Sequence, residues 1–584
     1  MVPCAGPFFV FAHCADTVPR HLFNVVQSIA LLLMALGTLG SASAQAQAQA
    51  GDTAVGPAPT EPRFDILEFV VMGDTVLGQV AIERAVYNFL GPGRTVADAE
   101  GARRALEKAY QDAGFLSVSV VLPPQRVDSA GGDVQLQVVQ APVAKLRVTG
   151  AQYTLPSQIR EALPSLSPGN VPNFNEMQQE LSQLLQRAPA SAEREITPLL
   201  AAGEVPGTLN VELKVQDKLP VTLSVEINNK QSLDTEAGRL EAAASYDNLF
   251  QRSHSLGLSW FYSPKRPSQV NIQTLSYSLP AGGLGDRLSL LFTNSDSDIA
   301  SAVGGASISR GQTLRLRWRD ALAAQDGFSH GLSWGLTARD LRDRSRSVAG
   351  VETPAPALRY TTLQAAYDLQ LAGSERNAGR STSLQAELTL SLRGLNRREV
   401  DCFGSVREQF ACKRPDAKPG FQILAMTLTH REPLGAWSLL ARLQAQAADS
   451  PLVSAEQVVY GGQDSARGYY EGEQAGDLGA ALRLELSAPS WQAGGFSVSA
   501  LAFADAAAVR RLFATAEETA NVSLASAGLG VRIGNVSGLQ ASLTWAQVLR
   551  NTTRLNSATG LQVPVSGPEA GREARWDLNL RQAF

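Results

Sequence analysis

The 584-residue chain sets 51 lysines and arginines against 55 aspartates and glutamates, a net charge of −4, so no long-range field draws it to nucleic acid. Its apolar content of 44% and mean hydropathy of −0.07 exclude a bundle of membrane helices and wholesale disorder. Length alone fits roughly two to four domains, or one large barrel with smaller modules.

The N-terminal stretch 22-LFNVVQSIALLLMALGTLGSASAQAQAQA-50 runs from an apolar core into small residues with several A-x-A sites, the pattern of a cleaved secretory signal. Residues 1–50 are assigned to that signal region, with cleavage expected between Ala42 and Ala50. Beyond it no stretch has the roughly 18 apolar residues of a spanning helix. An exported chain of this kind is periplasmic, secreted or an outer-membrane barrel. Residues 51–63 read as a Pro/Gly/Ala linker.

Two similar units follow, 64–141 and 142–216. The first has a strand 64-FDILEFVVMG-73, a helix 77-LGQVAIERAVYNFL-90 and a second helix opened by Thr95 with Asp98 at capping-box spacing. That helix ends at Gly114, a suitable C′ residue. Strands 115-FLSVSVVLP-123 and 133-DVQLQVVQ-140 close the unit. The second unit repeats the order: 143-VAKLRVTG-150, a short helix near 155–163, a helix capped by Asn173 with Glu176, then strands 193–200 and 208–215. Met177, Leu181, Leu184 and Leu185 form an apolar stripe on its longer helix. Two tandem β-α-α-β-β modules about 80 residues apart are the economical reading.

From residue 217 to 584 helical periodicity gives way to period-2 alternation. In 312-QTLRLRWRD-320, Leu314, Leu316 and Trp318 share one face and Arg315, Arg317 and Arg319 the other. In 482-LRLELS-487 the leucines oppose Arg483 and Glu485. Alternation sustained at this length fits strands with lipid outside and a polar lumen, where a soluble sandwich would leave one face of many long strands charged. At about 23 residues per strand and connection the region supplies roughly 16 transmembrane antiparallel strands. The last ten residues, 575-RWDLNLRQAF-584, place Trp576, Leu578, Leu580 and Phe584 on one face, the signature of a closing barrel strand with an interfacial aromatic. Cys402 and Cys412 lie in a segment of loop composition without a neighbouring histidine, and a small loop-closing disulfide outside the cytoplasm is expected over a metal site. The G-x-S-x-G match at Gly331–Gly335 continues as strand on both sides, which a nucleophile elbow cannot do. No P-loop, metal spacing or cofactor signature is present, so neither an enzyme nor a nucleic-acid binder is expected.

One loop stands apart: 461-GGQDSARGYYEGEQAGD-477, long, glycine-rich and centred on Arg467. Read by itself, Arg467 is a solvated surface residue. The whole arrangement, however, resembles the TpsB outer-membrane transporters of two-partner secretion, the haemolysin secretion/activation group. The modules look like POTRA domains: 106–140 resembles the family's Tyr…Gly-aromatic…Leu-Pro-x-Gln…Gly…Val run, and 181–220 its leucine-rich helix and Pro-Gly-Thr stretch. Arg467-Gly468-Tyr469 resembles the family's (V/I)-R-G-(Y/F) tetrad, with Ala466 where the family has a β-branched residue. The resemblance implies that this loop folds into the lumen and that Arg467 meets Asp505 of a later Phe-x-Asp pattern, Phe503-Ala504-Asp505. It further implies a Gram-negative outer-membrane location, periplasmic modules that catch an unfolded TpsA-like exoprotein, contact with outer-membrane lipid, and insertion by the barrel assembly machinery. Arg315, Arg317 and Arg319 become candidate lumen residues. With so few residues before the first module, no pore-plugging helix is expected, since one spanning the barrel needs roughly 20 residues. Rival readings are a barrel-insertion factor of the same superfamily and a passive porin, which has no use for modules.

Overall fold

In the computed structural model, residues 63–584 are described apart from short stretches at 74–75, 127–131, 188–193, 234, 284, 298–300, 304–305, 309, 325–326, 343, 347–351, 355, 374–378, 515–517 and 557–560. The expected signal region, the linker before Arg63 and the question of a plug helix lie outside the described residues.

Both N-terminal modules are three-stranded sheets with the last strand in the middle. In the first, Asp133–Val139 runs parallel to Glu68–Met72 and antiparallel to Ser119–Val121. In the second, Leu209–Asp217 pairs in the same way with Val143–Thr149 and Arg194–Ala202. Helices α1 (Gln79–Val86) and α2 (Val96–Asp112) belong to the first module, α3 (Pro156–Glu161) and α4 (Phe174–Arg187) to the second. Thr95 and Asp98 form the full capping box on α2. The Thr95 backbone N–H and hydroxyl, both donating to the Asp98 carboxylate, hold it below the usual range for that group. On α4, Met177 is buried and Leu181 and Leu184 pack on the core. Leu185, expected on that stripe, is exposed, because eight residues from Met177 it has rotated to the stripe's edge.

The first module departs from the sequence reading in two places. The expected strand 64–73 is broken at Leu67, and its first piece, Phe64–Ile66, pairs instead with Gly91–Arg94. The strand expected over 115–123 is ladder-paired only at Ser119–Val121. Two residues further the register would oppose Pro123 to Gln135, and proline has no N–H to give. The Gln125 side chain takes over: its amide donates to the Gln135 carbonyl at 2.9 Å and its oxygen accepts the Gln135 N–H at 2.7 Å. The glutamine of the Leu-Pro-x-Gln run is thus a side-chain surrogate for a strand residue.

Sixteen long antiparallel strands among the described residues close the barrel. They are β1 (Val221–Asn228), β2 (Arg239–Leu249), β3 (His254–Tyr262), β4 (Asn271–Pro280), β5 (Arg287–Ser295), β6 (Gly311–Ala321), β7 (Phe328–Leu341) and β8 (Leu358–Ala372). The second half comprises β9 (Ser381–Ser391), β10 (Phe421–Leu434), β11 (Trp437–Ala448), β12 (Leu478–Ser487), β13 (Phe496–Arg510), β14 (Asn521–Asn535), β15 (Leu539–Val548) and β16 (Ala574–Ala583). Strand β16 returns to β1 over Asn579–Ala583, and the Phe584 N–H donates to the Leu223 carbonyl at 2.9 Å. Leu314, Leu316 and Trp318 stand exposed on the outer face, as do Trp576, Leu578, Leu580 and Phe584. Such an apolar belt is stable only against lipid. The G-x-S-x-G segment lies inside β7, strand on both sides.

The second module meets the barrel at the turn between β2 and β3. Asn248, Phe250, Gln251 and Ser253 all hold left-handed φ, from 55° to 79°, a conformation that costs non-glycine residues roughly 1 kcal/mol each. The turn is held by use. Asn248 and Gln251 side-chain amides donate to the Tyr153 carbonyl at 3.2 and 3.1 Å, and the Gln251 oxygen accepts the Leu155 N–H at 3.2 Å. The Asp217 carboxylate ties the other side of the same segment through the Gln152 and Tyr153 N–H groups.

Two outcomes follow from these contacts. Gln125→Ala, leaving the Gln135 N–H and carbonyl without protein partners, should destabilise the first module by about 1 kcal/mol, seen as faster amide exchange at Gln135 in the full chain; unchanged exchange would refute the surrogate role. Replacing Asn248 and Gln251 together by Ala should broaden spin-label distances between the second module and the barrel while the barrel stays heat-modifiable. An unaltered distance distribution would count against the clasp.

Candidate functional site

The connection between β11 and β12, residues 449–477, turns back into the lumen. A short hairpin stem, Val458–Tyr460 against Gln474–Gly476, carries it inward. The following residues bring Arg467 to the barrel wall, where it is 3% exposed. Its Nε and Nη2 donate to the two Asp505 carboxylate oxygens at 2.7 and 2.8 Å. Its backbone N–H reaches the same carboxylate at 3.1 Å, and Nη1 donates to Glu485 at 3.1 Å. The guanidinium carbon lies 3.5 Å from the centre of the Phe503 ring. This combines a bidentate fork with a cation–π contact in a water-poor site, where both are strong.

Strand geometry makes the site. Phe503 and Asp505 are two residues apart on β13, so both point inward. On β12 Glu485 pairs with Phe503 and Arg483 with Asp505 in register. Arg483 stands 3.9 Å from Asp505, and Arg532 of β14 reaches Glu485 at 2.5 Å. Cations and carboxylates alternate, so neither carboxylate faces only one charge. Room for the Phe503 ring comes from Gly528 on β14: a Cβ there would fall 2.6 Å from the ring and 1.9 Å from the Trp545 carbonyl oxygen.

Gly468 holds φ +91°, and a Cβ there would meet Val548 at 3.0 Å and Ala546 at 3.2 Å. Glycine therefore satisfies both the left-handed turn and the close approach to β15. Tyr469 is buried. Its hydroxyl lies 2.8 Å from the Arg550 carbonyl and 3.0 Å from the Ala525 carbonyl, and accepts the Ala525 N–H at 3.1 Å. The residues singled out from the sequence, Arg467, Gly468, Tyr469, Phe503 and Asp505, are brought together in one cluster. Glu485, Arg532 and Gly528 were not singled out. Glu485 carries the one available signal, a carboxylate on the polar face of an alternating strand.

The arginines of β6 do not act alike. Arg315 lines a cavity of about 390 Å³ between the loop and the wall, together with Arg339, Glu387, Arg442 and Glu471. Arg317 is paired with Glu387, and Arg319 is exposed nearer the strand's end. Cys402 and Cys412 are joined by a disulfide in the loop between β9 and β10.

Removing one partner of a buried charge pair costs about 3–5 kcal/mol, so Arg467→Ala should undock the loop and raise large-conductance openings in planar bilayers. Arg467→Lys should fall between, since an ammonium cannot span both Asp505 oxygens. Wild-type conductance in Arg467→Ala would sink this account of what holds the loop.

A sequence model described as haemolysin secretion/activation protein ShlB/FhaC/HecB matches residues 207–533, and one for the ShlB-type POTRA domain matches 64–141. The chain is 26% identical over 439 residues to the outer membrane transporter CdiB of Escherichia coli O6:K15:H31 (strain 536 / UPEC), covering 73% of this chain and 69% of that protein. To CdiB of Dickeya dadantii (strain 3937) it is 22% identical over 436 residues, 74% and 73% of the two chains. Among solved structures, CdiB from Escherichia coli superposes with a TM-score of 0.60 at 19% identity, covering 97% of this chain and 99% of that one. BamA from Haemophilus ducreyi lacking POTRA domains 1–3 gives 0.51 at 16% identity, over 89% and 100%. These two likenesses speak to fold.

Proposed function

The chain belongs to the ShlB/FhaC/HecB haemolysin secretion/activation family, and on that premise we propose that it exports a partner exoprotein through a barrel gated by the Arg467 loop. It is an outer-membrane protein with its POTRA modules in the periplasm. The observation that carries the gating reading is the docked loop itself: Arg467, held by Asp505 and Glu485, fastens to the barrel wall a segment that folds into the lumen. A passage blocked by a docked loop can be opened by a ligand without dismantling the wall. The unfolded cargo arrives in the periplasm, where the edge strand Arg194–Ala202, with Leu199 and Leu200 exposed, offers a place for strand addition. The loop then gives way, the chain passes in extended form, and folding outside prevents return. Trp576, Leu578, Leu580 and Phe584 fit the closing-strand signal that assembly machinery reads, and Arg315 lies along the cargo path.

Secretion of a co-expressed N-terminal cargo fragment tests this, comparing wild type with Arg467→Ala and with deletion of residues 64–140. Secretion should fall in both variants while the barrels remain heat-modifiable in the outer membrane. Normal export by both, or failure of other barrel proteins to assemble when the gene is lost, would replace this reading with the insertion-factor one.

A further inference from the structure

We infer that the inward loop is fastened a second time, at its neck, by the extracellular connection between β9 and β10, and that only the tip, residues 461–473, leaves its seat when the channel opens. This rests on the gated-export reading above and specifies which part of the gate moves.

The fastening is a buried ion pair distinct from the Arg467 cluster. Asp477, the last residue before β12, is fully buried. Its carboxylate accepts from Arg414 Nη1 at 2.8 Å, the Leu452 N–H at 2.9 Å, the Gln457 amide at 3.0 Å and the Leu512 N–H at 2.7 Å. Arg414 in turn donates to the Leu452 carbonyl and the Phe513 carbonyl, each at 2.8 Å. Two side chains therefore join four pieces of chain. These are the entry and exit of the inward loop, the β9–β10 connection, and the connection between β13 and β14. Beneath them Leu452, Val453 and Ala455 of the loop's entry pack with Phe410 and Ala417 of the β9–β10 connection in one apolar cluster. The disulfide closes that connection at Cys412, two residues before Arg414, which keeps the arginine's backbone from drifting.

The tip is built differently. Past the stem hairpin, Gly461 and Gly462 hold φ of +115° and +96°, a pair of left-handed residues where the backbone can pivot. Beyond them the tip is held by polar contacts, Arg467 to its carboxylates, Lys230 to Asp464 at 3.0 Å and the Glu471 N–H to the Gln231 carbonyl at 2.9 Å, and by two residues, Ala466 and Tyr469, that pack in an apolar cluster with the wall. Water in an opened lumen can replace the polar ones, the hydrogen bonds of the Tyr469 hydroxyl among them. It cannot replace the apolar cluster at the neck, where Leu452, Val453 and Ala455 would have to be exposed, against one alanine and one tyrosine at the tip. A fixed neck also shortens the free segment from 449–477 to 461–473, which favours redocking of the tip by roughly threefold on loop-closure grounds alone. Arg414 and Asp477 are thus positioning residues for the gate.

Single-cysteine reporters in the full-length protein test this directly. Ser465→Cys reports the tip and Ala455→Cys the neck; both sites are buried, and the native Cys402–Cys412 pair is oxidised. Labelling by a membrane-impermeant maleimide is followed with and without the cargo fragment. With cargo, the tip reporter should label at least tenfold faster and the neck reporter should stay at its resting rate. Arg414→Gln, and separately Cys402→Ser with Cys412→Ser, should make the neck reporter label with cargo while heat modifiability is retained; Arg414→Lys should give an intermediate rate. Equal acceleration at tip and neck in the wild type would overturn the fixed neck and leave gating intact. No acceleration at the tip would remove the gating reading and this inference with it. A neck that stays protected in folded Arg414→Gln would show that Arg414 is not the fastener.

Discussion

A guanidinium enclosed in a barrel lumen must find its counter-charge within hydrogen-bonding distance, and this requirement organises the structure around Arg467. Two carboxylates have to face inward at matching height on neighbouring strands. Period-2 alternation delivers Asp505 from β13 and Glu485 from β12, because the register sets Glu485 opposite Phe503, one pleat from Asp505. A one-residue slip of either strand would turn its carboxylate toward lipid, where it could not stay ionised. The ion cluster and the strand register therefore select each other. The loop cannot dock in a mispaired barrel, and a docked loop with Tyr469 bonded to Ala525 of β14 and to Arg550 just past β15 braces the wall at two further strands.

Much of this was legible from residue order. Leu314, Leu316 and Trp318 against Arg315 and Arg317 announce a wall with lipid on one side, since no soluble sheet needs that pattern for so many strands. Thr95 with Asp98 announces a helix start, because the capping box is local chemistry and tertiary context leaves it alone. The pairing of Arg467 with Asp505 was reached only through family resemblance. Thirty-eight residues separate them, and no composition or periodicity links a loop arginine to one inward carboxylate among many.

What was not legible has definite causes. Glu485 looks like any polar residue of an alternating strand until its register is known. Gly528 is silent in sequence, because its role is to lack a side chain beside Phe503. Gln125 belongs to the Leu-Pro-x-Gln run, but its role depends on Pro123 arriving opposite Gln135, a fact of tertiary pairing. The left-handed turn at Asn248–Ser253 runs against local preference: a reader of propensities puts glycine there, and contacts to the second module hold ordinary residues in that shape instead. Strain of this kind is visible only where the structure supplies what compensates it.

The energetics of opening constrain what the cargo must do. On the export reading, the free energy of opening comes from cargo binding and folding. Moving a closed gate from 1:99 open to 99:1 takes about 5.5 kcal/mol of differential binding. Unpairing a buried ion pair costs about 3–5 kcal/mol when a partner is simply removed, but water and the cargo's own polar groups refill the site in an opened lumen, so the net cost of releasing Arg467 is smaller. Strand addition at a module edge contributes about 1 kcal/mol per net hydrogen bond, so a segment of five or six residues supplies about the differential binding that opening one such gate takes. On the export reading, a neck that holds limits what cargo binding has to release to the tip. The tip is held mostly by ion pairs and hydrogen bonds that water can replace, and the neck by a larger apolar cluster beneath Arg414 and Asp477, so the two differ in what opening the lumen would cost each.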